Sequence, residues 1–352
     1  MDSAMKPIEV GVLGGTGMVG QHFVRFLQGH PWFRLTWLGA SDRSAGKKYR
    51  DATAWRLEGD MPSDVTDIVV SECRPGDAPR LVFSAMDASV AGEIEREFAQ
   101  AGHIVVSNAR NHRMEPDVPL LVPEVNAGHL NLIRAQQKNR GWSGMIVTNP
   151  NCSTVVLTMA LAPLVRFGIE RVLVATMQAV SGAGYPGVSS MDIIGNVVPF
   201  IGGEEEKMQQ ETQKILGSCS DGKVVPLAAR VSATCNRVAV TDGHMVAASV
   251  EFEKKPPLDA VRAAIYDFRG APQERNLPSA PVQPVIYMDQ QDRPQPRRDA
   301  ARDNGMAVTV GRVRECPVLD VKFVACGHNA IRGAAGAAVL NAELMVSEGF
   351  LD

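Results

Sequence analysis

The chain has 352 residues, of which 45% are hydrophobic and 21% are charged, and its net charge is −3. That length predicts two domains, and the composition is typical of a soluble globular protein. The charge argues against a general nucleic-acid surface, and no apolar stretch reaches the roughly 20 residues that span a bilayer. The N-terminus lacks a signal-peptide pattern, and the six cysteines lack metal-ligand spacing. We therefore predict a cytoplasmic chain with reduced thiols, no membrane segment and no metal site.

The first residues predict a nucleotide-binding unit. An apolar strand over residues 8–13 runs into a glycine-rich turn and then into a helix over residues 21–28. Glycines at 11, 14, 17 and 20 follow a GxxGxxG spacing, which lets a pyrophosphate approach the backbone at a helix N-terminus. Because the turn directly follows the first strand, the motif is stronger than a glycine-rich turn alone.

The end of the second predicted strand, residues 35–40, concerns the choice of cofactor. An NAD site usually places an acid there, whereas a 2′-phosphate favours hydroxyls and cations. Asp42 is available, but it is outnumbered by Ser41, Arg43, Ser44 and Lys47. The sequence thus favours NADP over NAD.

Strands and helices alternate through the rest of the first half. We predict strands over residues 80–85, 103–107, 120–123 and 145–148, and helices over 88–100 and 127–138. This alternation predicts a doubly wound parallel sheet, and Ser84, Ala85 and Met86 would lie at a strand end beside the ligand-binding crevice. Residues 43–73 are irregular.

Cys152 follows the strand over residues 145–148 and begins an apolar helical segment. Free backbone N–H groups and the helix dipole there favour the thiolate, so we expect a pKa below its usual value of about 8.5. The same N–H groups could hold an oxyanion, and the hydroxyls of Ser153 and Thr154 could cap the helix. Taken alone, the residue is better interpreted as an inert buried cysteine.

Three polar groups in the second half change that balance. Gln178 lies near the end of a strand over residues 171–180 and could donate to a carbonyl oxygen, although a capping role is equally consistent. Glu204 and Lys207 share a face of a helix over residues 204–216, where acids ordinarily complement the dipole but could instead bind an ammonium and a phosphate.

A predicted strand pair over residues 231–252 supplies the remaining chemistry. Arg237 suits carboxylate binding, and the turn at Asp242 and Gly243 delivers His244, the strongest general acid–base candidate. A single histidine beside a turn is usually an exposed residue without a catalytic role, but a nearby thiol would give His244 a catalytic partner.

The C-terminal part of the chain is predicted to return to the first domain. Residues 327–336 open a C-terminal helix with a small-residue face that we expect to pack on the first domain.

Together these motifs resemble the aspartate-β-semialdehyde dehydrogenase family, in the branch typical of archaea and fungi. The resemblance covers nearly the whole chain, with eight motifs in order: 14–20, 41–47, 107–113, 149–154, 178–184, 204–207, 237–244 and 329–336. It implies an α/β fold, with a Rossmann-type doubly wound parallel sheet and an α+β catalytic and dimerisation domain. We expect the NADP-binding domain over residues 1–152, completed by a C-terminal helix over 329–352, and the catalytic domain over 153–328.

The implied reaction is the reversible NADPH-dependent reductive dephosphorylation of L-aspartyl-4-phosphate to L-aspartate 4-semialdehyde and phosphate, a step toward lysine, methionine and threonine. A homodimer or homotetramer is implied. The alternatives are a malonyl-CoA reductase on the same scaffold and a non-catalytic NADP-sensing protein. Glyceraldehyde-3-phosphate dehydrogenase and N-acetylglutamyl-phosphate reductase share this type of chemistry, but their sequence motifs around the cysteine differ from the one at residues 151–155 here.

The resemblance also implies a role for each motif residue. Cys152 is the acyl-thioester nucleophile, His244 the acid/base, Gln178 orients the acyl group, Arg237 binds the α-carboxylate and Glu204 the α-ammonium. Lys207 and Arg113 hold the phosphate, with Arg110 and Asn111 as neighbouring alternatives for Arg113. The implied NADP(H) contacts are Gly14, Gly15, Thr16, Gly17, Met18, Val19, Ser41, Arg43, Ser44, Ser84, Ser181, Gly182, Ala183, Gly184 and Asn329.

Overall fold

A computed structural model describes residues 6–220 and 222–351, so the predicted domain limits at residues 1 and 352 lie outside the described residues. The strands are β1 Ile8–Leu13, β2 Phe33–Ala40, β3 Ser71–Glu72, β4 Leu81–Ser84, β5 Ile104–Ser107, β6 Met145–Thr148, β7 Ile169–Gln178, β8 Val197–Val198, β9 Ser218–Ser220, β10 Lys223–Val225, β11 Arg230–Val238, β12 His244–Phe252, β13 Val285–Met288, β14 Val308–Glu315 and β15 Val321–Gly327. The α-helices are α1 Met18–Leu27, α2 Tyr49–Ala52, α3 Ala88–Gln100, α4 Pro123–Asn126, α5 Leu132–Arg140, α6 Cys152–Leu161, α7 Ser190–Ile193, α8 Glu204–Ile215, α9 Leu258–Asp267, α10 Ala271–Glu274, α11 Pro296–Asp299 and α12 Ala335–Ser347. Short 3₁₀ segments cover Ala127–Asn131, Ala162–Phe167, Val180–Ala183 and Arg302–Gly305.

The first sheet is the predicted nucleotide-binding sheet. Its six strands run parallel in the order β3-β2-β1-β4-β5-β6. Every residue of β4, β5 and β6 is buried, as expected for parallel strands covered on both faces. The C-terminal helix α12 packs against α1, and its apolar side chains share a core with Val10, Phe23 and Phe83.

The second sheet is mixed and has seven strands in the order β13-β14-β15-β12-β7-β11-β8. Helices α6, α8 and α9 pack on it, and alternate residues of β12 are buried. The predicted strand pair over residues 231–252 is wrong as a pairing. β7 lies between β11 and β12, parallel to the first and antiparallel to the second.

The predicted fold class, a Rossmann-type parallel sheet with an α+β second domain, is confirmed. Two local predictions are wrong. The strand expected over residues 120–123 is reduced to one bridge from Leu120 to Thr148, because Pro123 begins α4 and suits a first helical position. The C-terminal helix begins at Ala335 rather than at Asn329, whose side chain is instead bonded to the second-domain residues Ser181 and Gly243.

Candidate active site

Asn151 caps the helix that begins at Cys152. Its Oδ1 atom accepts hydrogen bonds from the backbone N–H groups of Ser153, at 2.9 Å, and Thr154, at 3.2 Å. The expected capping by the Ser153 and Thr154 hydroxyls is therefore wrong, and both hydroxyls are buried without a partner among the described residues. The Asn151 side chain thus takes up the N–H groups of Ser153 and Thr154, while the Cys152 N–H is not one of its donors, so the expected oxyanion site at this helix start stays a prediction.

Cys152 is the first residue of α6 and is only partly exposed. Burial, with a further contribution from the Glu204 carboxylate, raises the pKa of the Cys152 thiol to about 12. The charges of Arg113 and Arg237 act in the opposite direction without offsetting it. The expectation of a depressed pKa is wrong for the ligand-free site, because burial outweighs the helix N-terminus. The resting residue is a thiol.

Glu204 draws three neighbouring side chains together beside that thiol. Its carboxylate accepts hydrogen bonds from Asn151 Nδ2 at 2.7 and 3.0 Å, from Gln178 Nε2 at 3.1 Å and from Lys207 Nζ at 2.9 Å. Burial would raise the pKa of Glu204, but Lys207, Asn151 and Gln178 lower it overall. The site therefore holds a buried, ionised carboxylate that three donors share.

Arg113 is the member of its predicted group that faces the site. Its side chain is buried, Nη1 donates to Glu211 Oε1 at 2.9 Å, and Nη2 donates to the Asn108 carbonyl at 2.7 Å. Its Nε atom is buried and finds no partner in the described part of the chain. Arg110 and Asn111 are exposed, and the Asn111 amide donates to the Ala88 carbonyl.

His244 begins β12 and is fully buried. The backbone N–H of Ala179 donates to its Nδ1 at 3.1 Å, which assigns the proton of the neutral ring to Nε2. Burial and the charge of Arg237 lower the pKa of His244 to about 3, so the ring is neutral at physiological pH. Its Nε2 atom has no hydrogen-bond partner among the described residues. The Nε2–H group is therefore free to donate a hydrogen bond to a bound ligand.

A glycine-rich loop places the predicted nicotinamide contacts against His244. A Cβ atom added to Gly182 would lie 2.9 Å from His244 Nε2 and 3.0 Å from Arg237 Nη1, so the loop passes too close to both side chains for a larger residue to fit without a shift. Asn329 ties this loop down, because its Nδ2 donates to Ser181 Oγ at 2.8 Å and its Oδ1 accepts from the Gly243 N–H at 2.8 Å. Ala183 and Gly184 continue the same loop and are exposed.

A cleft lies at the carboxyl ends of the first-sheet strands, where a doubly wound sheet binds nucleotides. Its volume is about 500 Å³, and predicted residues Gly14, Thr16, Gly17 and Ser41 line it. Gly14 has φ +75°, and a Cβ there would lie 2.8 Å from the Ala85 carbonyl oxygen. No side chain caps α1 at Gly17, so first-turn N–H groups remain for a phosphate.

The structure separates the other predicted nucleotide contacts. Gly15 is buried, and a Cβ there would meet Leu38, while Ser84 is fully buried, so neither lines the cleft. Met18, Val19, Arg43 and Ser44 also lie outside its lining. Lining residues that the sequence did not single out for this cleft are Ala40, Glu72, Cys73, Arg74, Asp87, Val90, Ile94 and Glu97. Ala85 and Met86, which were expected at this strand end, do line the cleft, and Asp87 follows them directly, so the same rule for ligands at strand ends would have found it.

Within residues 6–220 and 222–351, no group of three or more His, Cys, Asp or Glu side chains could hold a metal ion. Over the same residues, no helix combines the length and apolar character that crossing a membrane requires.

Comparisons with known proteins agree over nearly the whole chain. The semialdehyde dehydrogenase NAD-binding domain matches residues 9–133, and the semialdehyde dehydrogenase dimerisation domain matches residues 161–332. Aspartate-semialdehyde dehydrogenase of Methanothermobacter thermautotrophicus is 53% identical over 96% of this chain and 99% of that protein. The enzyme of Cryptococcus neoformans is 49% identical over 99% of this chain and its own full length. The crystal structure of aspartate-semialdehyde dehydrogenase from Candida albicans with NADP has 44% identity and a TM-score of 0.91, covering 98% of this chain and 99% of that one. The chain belongs to the aspartate-semialdehyde dehydrogenase family.

Proposed function

We propose that this chain catalyses the reversible NADPH-dependent reductive dephosphorylation of L-aspartyl-4-phosphate to L-aspartate 4-semialdehyde and phosphate. One observation supports this most directly. Buried Arg113, Arg237 and Glu204 all act electrostatically on Cys152. The substrate carries a phosphate, an α-carboxylate and an α-ammonium, which match two cations and one anion in kind. Malonyl-CoA has no ammonium for Glu204 to bind.

The substrate contacts follow from those charges. Arg237 would bind the α-carboxylate, Glu204 the α-ammonium, and Arg113 with Lys207 the phosphate. Lys207 pairs with Glu204 in the absence of substrate. Bound substrate would break that pair, with Lys207 then contacting the phosphate and Glu204 the α-ammonium. Gln178, now bonded to Glu204, would orient the acyl group when the ammonium takes its place.

Acylation begins from a protonated thiol. Sulfur of Cys152 attacks the acyl carbon, the bond from that carbon to the phosphate oxygen breaks, and the phosphate leaves with the electron pair. The thiol proton balances the leaving group, which departs as hydrogen phosphate. Arg113 and Arg237 already lower the cost of the thiolate, and a thioester accepts hydride more readily than a carboxylate.

Reduction of the thioester needs a hydride donor, which would bind on the side of Cys152 opposite the substrate contacts. Gly14, Thr16, Gly17 and Ser41 would hold NADP(H), which when bound supplies the hydride for the acyl carbon. His244 Nε2–H donates a hydrogen bond to the carbonyl oxygen of the thioester and stabilises the negative charge that hydride addition places on that oxygen. The oxygen electron pair then re-forms the carbonyl, the carbon–sulfur bond breaks with its electrons going to sulfur, and a proton from solvent restores the thiol.

The test is a direct assay of purified chain by nicotinamide absorbance. With aspartate semialdehyde, NADP and inorganic phosphate we expect phosphate-dependent formation of NADPH. A parallel reaction with malonyl-CoA and NADPH should show no turnover. Turnover only with malonyl-CoA would replace the proposal by the acyl-CoA reductase, and NADP binding without turnover of either substrate would replace it by the sensor.

We further propose that the second sheet joins two copies of the chain. Helices pack against one face of β7, where Val172, Val174 and Thr176 are buried, while Leu173 and Ala175 are exposed on the opposite face. Those two continue an apolar surface onto neighbouring strands, since Ala175 pairs with Ala247 and Ala247 with Val324. Small and apolar residues on a flat sheet suit packing against a second sheet.

Sedimentation of the wild type against Ala175→Arg tests that interface. We expect a dimer or tetramer for the wild type and a shift toward monomer for the variant, because a buried unpaired charge is costly. A wild-type monomer, or a variant with unchanged mass, would contradict the interface.

We propose the domain division at Cys152, with residues 153–328 as the catalytic and dimerisation domain and the C-terminal segment returning to the nucleotide domain. The packing of α6 against α8 and β12, and of α12 against α1, supports it. We also propose a cytoplasmic location, since all six cysteines are free thiols.

A further inference from the structure

Helix α8 presents four charged side chains at spacings of three, four and three residues. Glu204, Lys207, Glu211 and Lys214 therefore lie along one face. The first two belong to the substrate contacts described above. The last two are among the buried residues of the helix, although nothing in the proposed chemistry requires them, and a buried charge is retained only with close partners.

Glu211 connects Arg113 to the nucleophile helix. Its Oε1 accepts from Arg113 Nη1 at 2.9 Å, and its Oε2 accepts from the backbone N–H of Asn151 at 2.6 Å. Asn151 is the residue that caps the Cys152 helix. One carboxylate, 2% exposed, thus fixes a guanidinium relative to the residue next to the thiol.

Lys214 holds the backbone around Arg113. Its ammonium donates to the carbonyl oxygens of Arg113 at 2.7 Å, Glu115 at 2.8 Å and Val118 at 2.9 Å. Three donors are thereby committed to one short loop. Glu211 fixes the tip of the Arg113 side chain, and Lys214 fixes the chain from which it projects.

We propose that Glu211 and Lys214 are positioning residues that fix Arg113 for phosphate and set the affinity of the site for it. This rests on the proposed function, in which phosphate is a substrate or product. A guanidinium recognises phosphate through its planar N–H donors, so the orientation of the plane decides the contact. Nη1 and Nη2 each hold one protein acceptor, while Nε is the buried donor without a partner among the described residues.

The substitution Glu211→Gln tests the proposal with little change of shape. Arg113 and the Asn151 N–H donate to different oxygens of the carboxylate, and an amide would place an NH2 donor against one of them, so one of the two hydrogen bonds is lost. We expect the KM for phosphate to rise on the order of 10- to 100-fold, with the Kd for NADP unchanged. Glu206→Gln is the matched control, since it removes the same charge from an exposed position on the same helix and should leave both constants unaltered.

A double-mutant cycle separates positioning from general stability. In an Arg113→Ala background, Glu211→Gln should no longer change the KM for phosphate, because the group that it positions is gone. Two independent, multiplicative losses would overturn the proposal. Lys214→Met should raise the KM for phosphate as well, and Lys214→Arg should restore it, which provides a second test if Glu211→Gln does not fold.

Failure of this inference and failure of the proposed function look different. A wild-type chain without phosphate-dependent turnover would refute the function itself. A wild-type chain that requires phosphate, with Glu211→Gln indistinguishable from Glu206→Gln, would refute the positioning role alone.

Discussion

The two sides of Cys152 differ in whether their polar groups already have hydrogen-bond partners. On the substrate side Asn151, Gln178 and Lys207 all donate to Glu204, so that carboxylate is fully engaged without a ligand. On the other side His244 Nε2 is buried with no partner among the described residues. The first arrangement keeps charges in place at rest, and substrate must exchange contacts within it. The second keeps a desolvated donor for an oxygen that becomes negative only during reaction.

Replacing the Cys152 sulfur, which lies between the two sides, should have the largest effect on turnover. We predict that Cys152→Ser abolishes turnover, because losing an essential nucleophile typically costs orders of magnitude. The Kd for NADP should stay nearly unchanged, since the nucleotide cleft lies on the first sheet. Rate assays and calorimetric NADP titration check both parts, and residual activity above about one percent would remove Cys152 as the nucleophile.

The His244 side can be tested by changing what the side chain donates. We predict that His244→Ala lowers kcat by roughly 10²- to 10⁴-fold, with a smaller change in the KM for aspartate semialdehyde. His244→Gln should keep more activity than His244→Ala, because an amide can still donate a hydrogen bond. Equal rates for the two variants would contradict the donor role that the ring geometry supports.

Glu204→Gln sharpens the contrast on the other side. We predict that its main effect is a higher KM for aspartate semialdehyde, since a neutral amide cannot pair with the α-ammonium. A loss confined to kcat would mean that Glu204 does not bind the ammonium.

How far the sequence could anticipate this site depended on the distance between partners along the chain. The place of Cys152 between a strand and a helix, and the shared face of Glu204 and Lys207, follow from local patterns. Glu211 was missed because it meets Asn151 across 60 residues, with no local signal. The pKa of Cys152 was predicted in the wrong direction because it depends on burial by elements far away in sequence.

Strand pairing failed for a similar reason. Residues 231–252 contain two strands separated by a turn at Gly243, which locally suggests a hairpin. β7 instead lies between them, and this arrangement depends on contacts between strands that are far apart in the sequence. The parallel arrangement of the first sheet was predicted correctly, because alternation of strands with helices restricts the possible topologies.

Acid should destabilise the two sides in different pH windows. Burial lowers the pKa of His244 to about 3 from 6.5, so below pH 6.5 the unfolded chain binds more protons and stability falls. Glu204, whose pKa is lowered from 4.5, loses its contribution only as pH falls below that value. Each group changes the free energy of unfolding by up to about 1.4 kcal/mol per pH unit within its window.

Urea unfolding across pH can separate these contributions. His244→Gln should flatten the decline between pH 6.5 and 4.5, although His22, whose pKa burial lowers to about 4, will retain part of it. Glu204→Gln should leave that range unchanged and flatten the decline below pH 4.5. Identical profiles for the two variants would show that the sides are not electrostatically distinct.

The smallest expected effect concerns the far end of the cofactor, remote from both sides of Cys152. We predict that Arg43→Ala weakens NADPH binding a few-fold and barely affects NADH, because an exposed cation contributes about 1 kcal/mol or less. Arg74→Ala is the informative comparison, since Arg74 lines the cleft, pairs with Glu72 at 3.1 Å and was not predicted as a contact. A loss specific to NADPH in Arg74→Ala, with Arg43→Ala unchanged, would transfer the 2′-phosphate contact to Arg74. Equal losses for NADPH and NADH in both variants would mean that neither cation distinguishes the two cofactors, and would contradict the assignment of the 2′-phosphate to this loop.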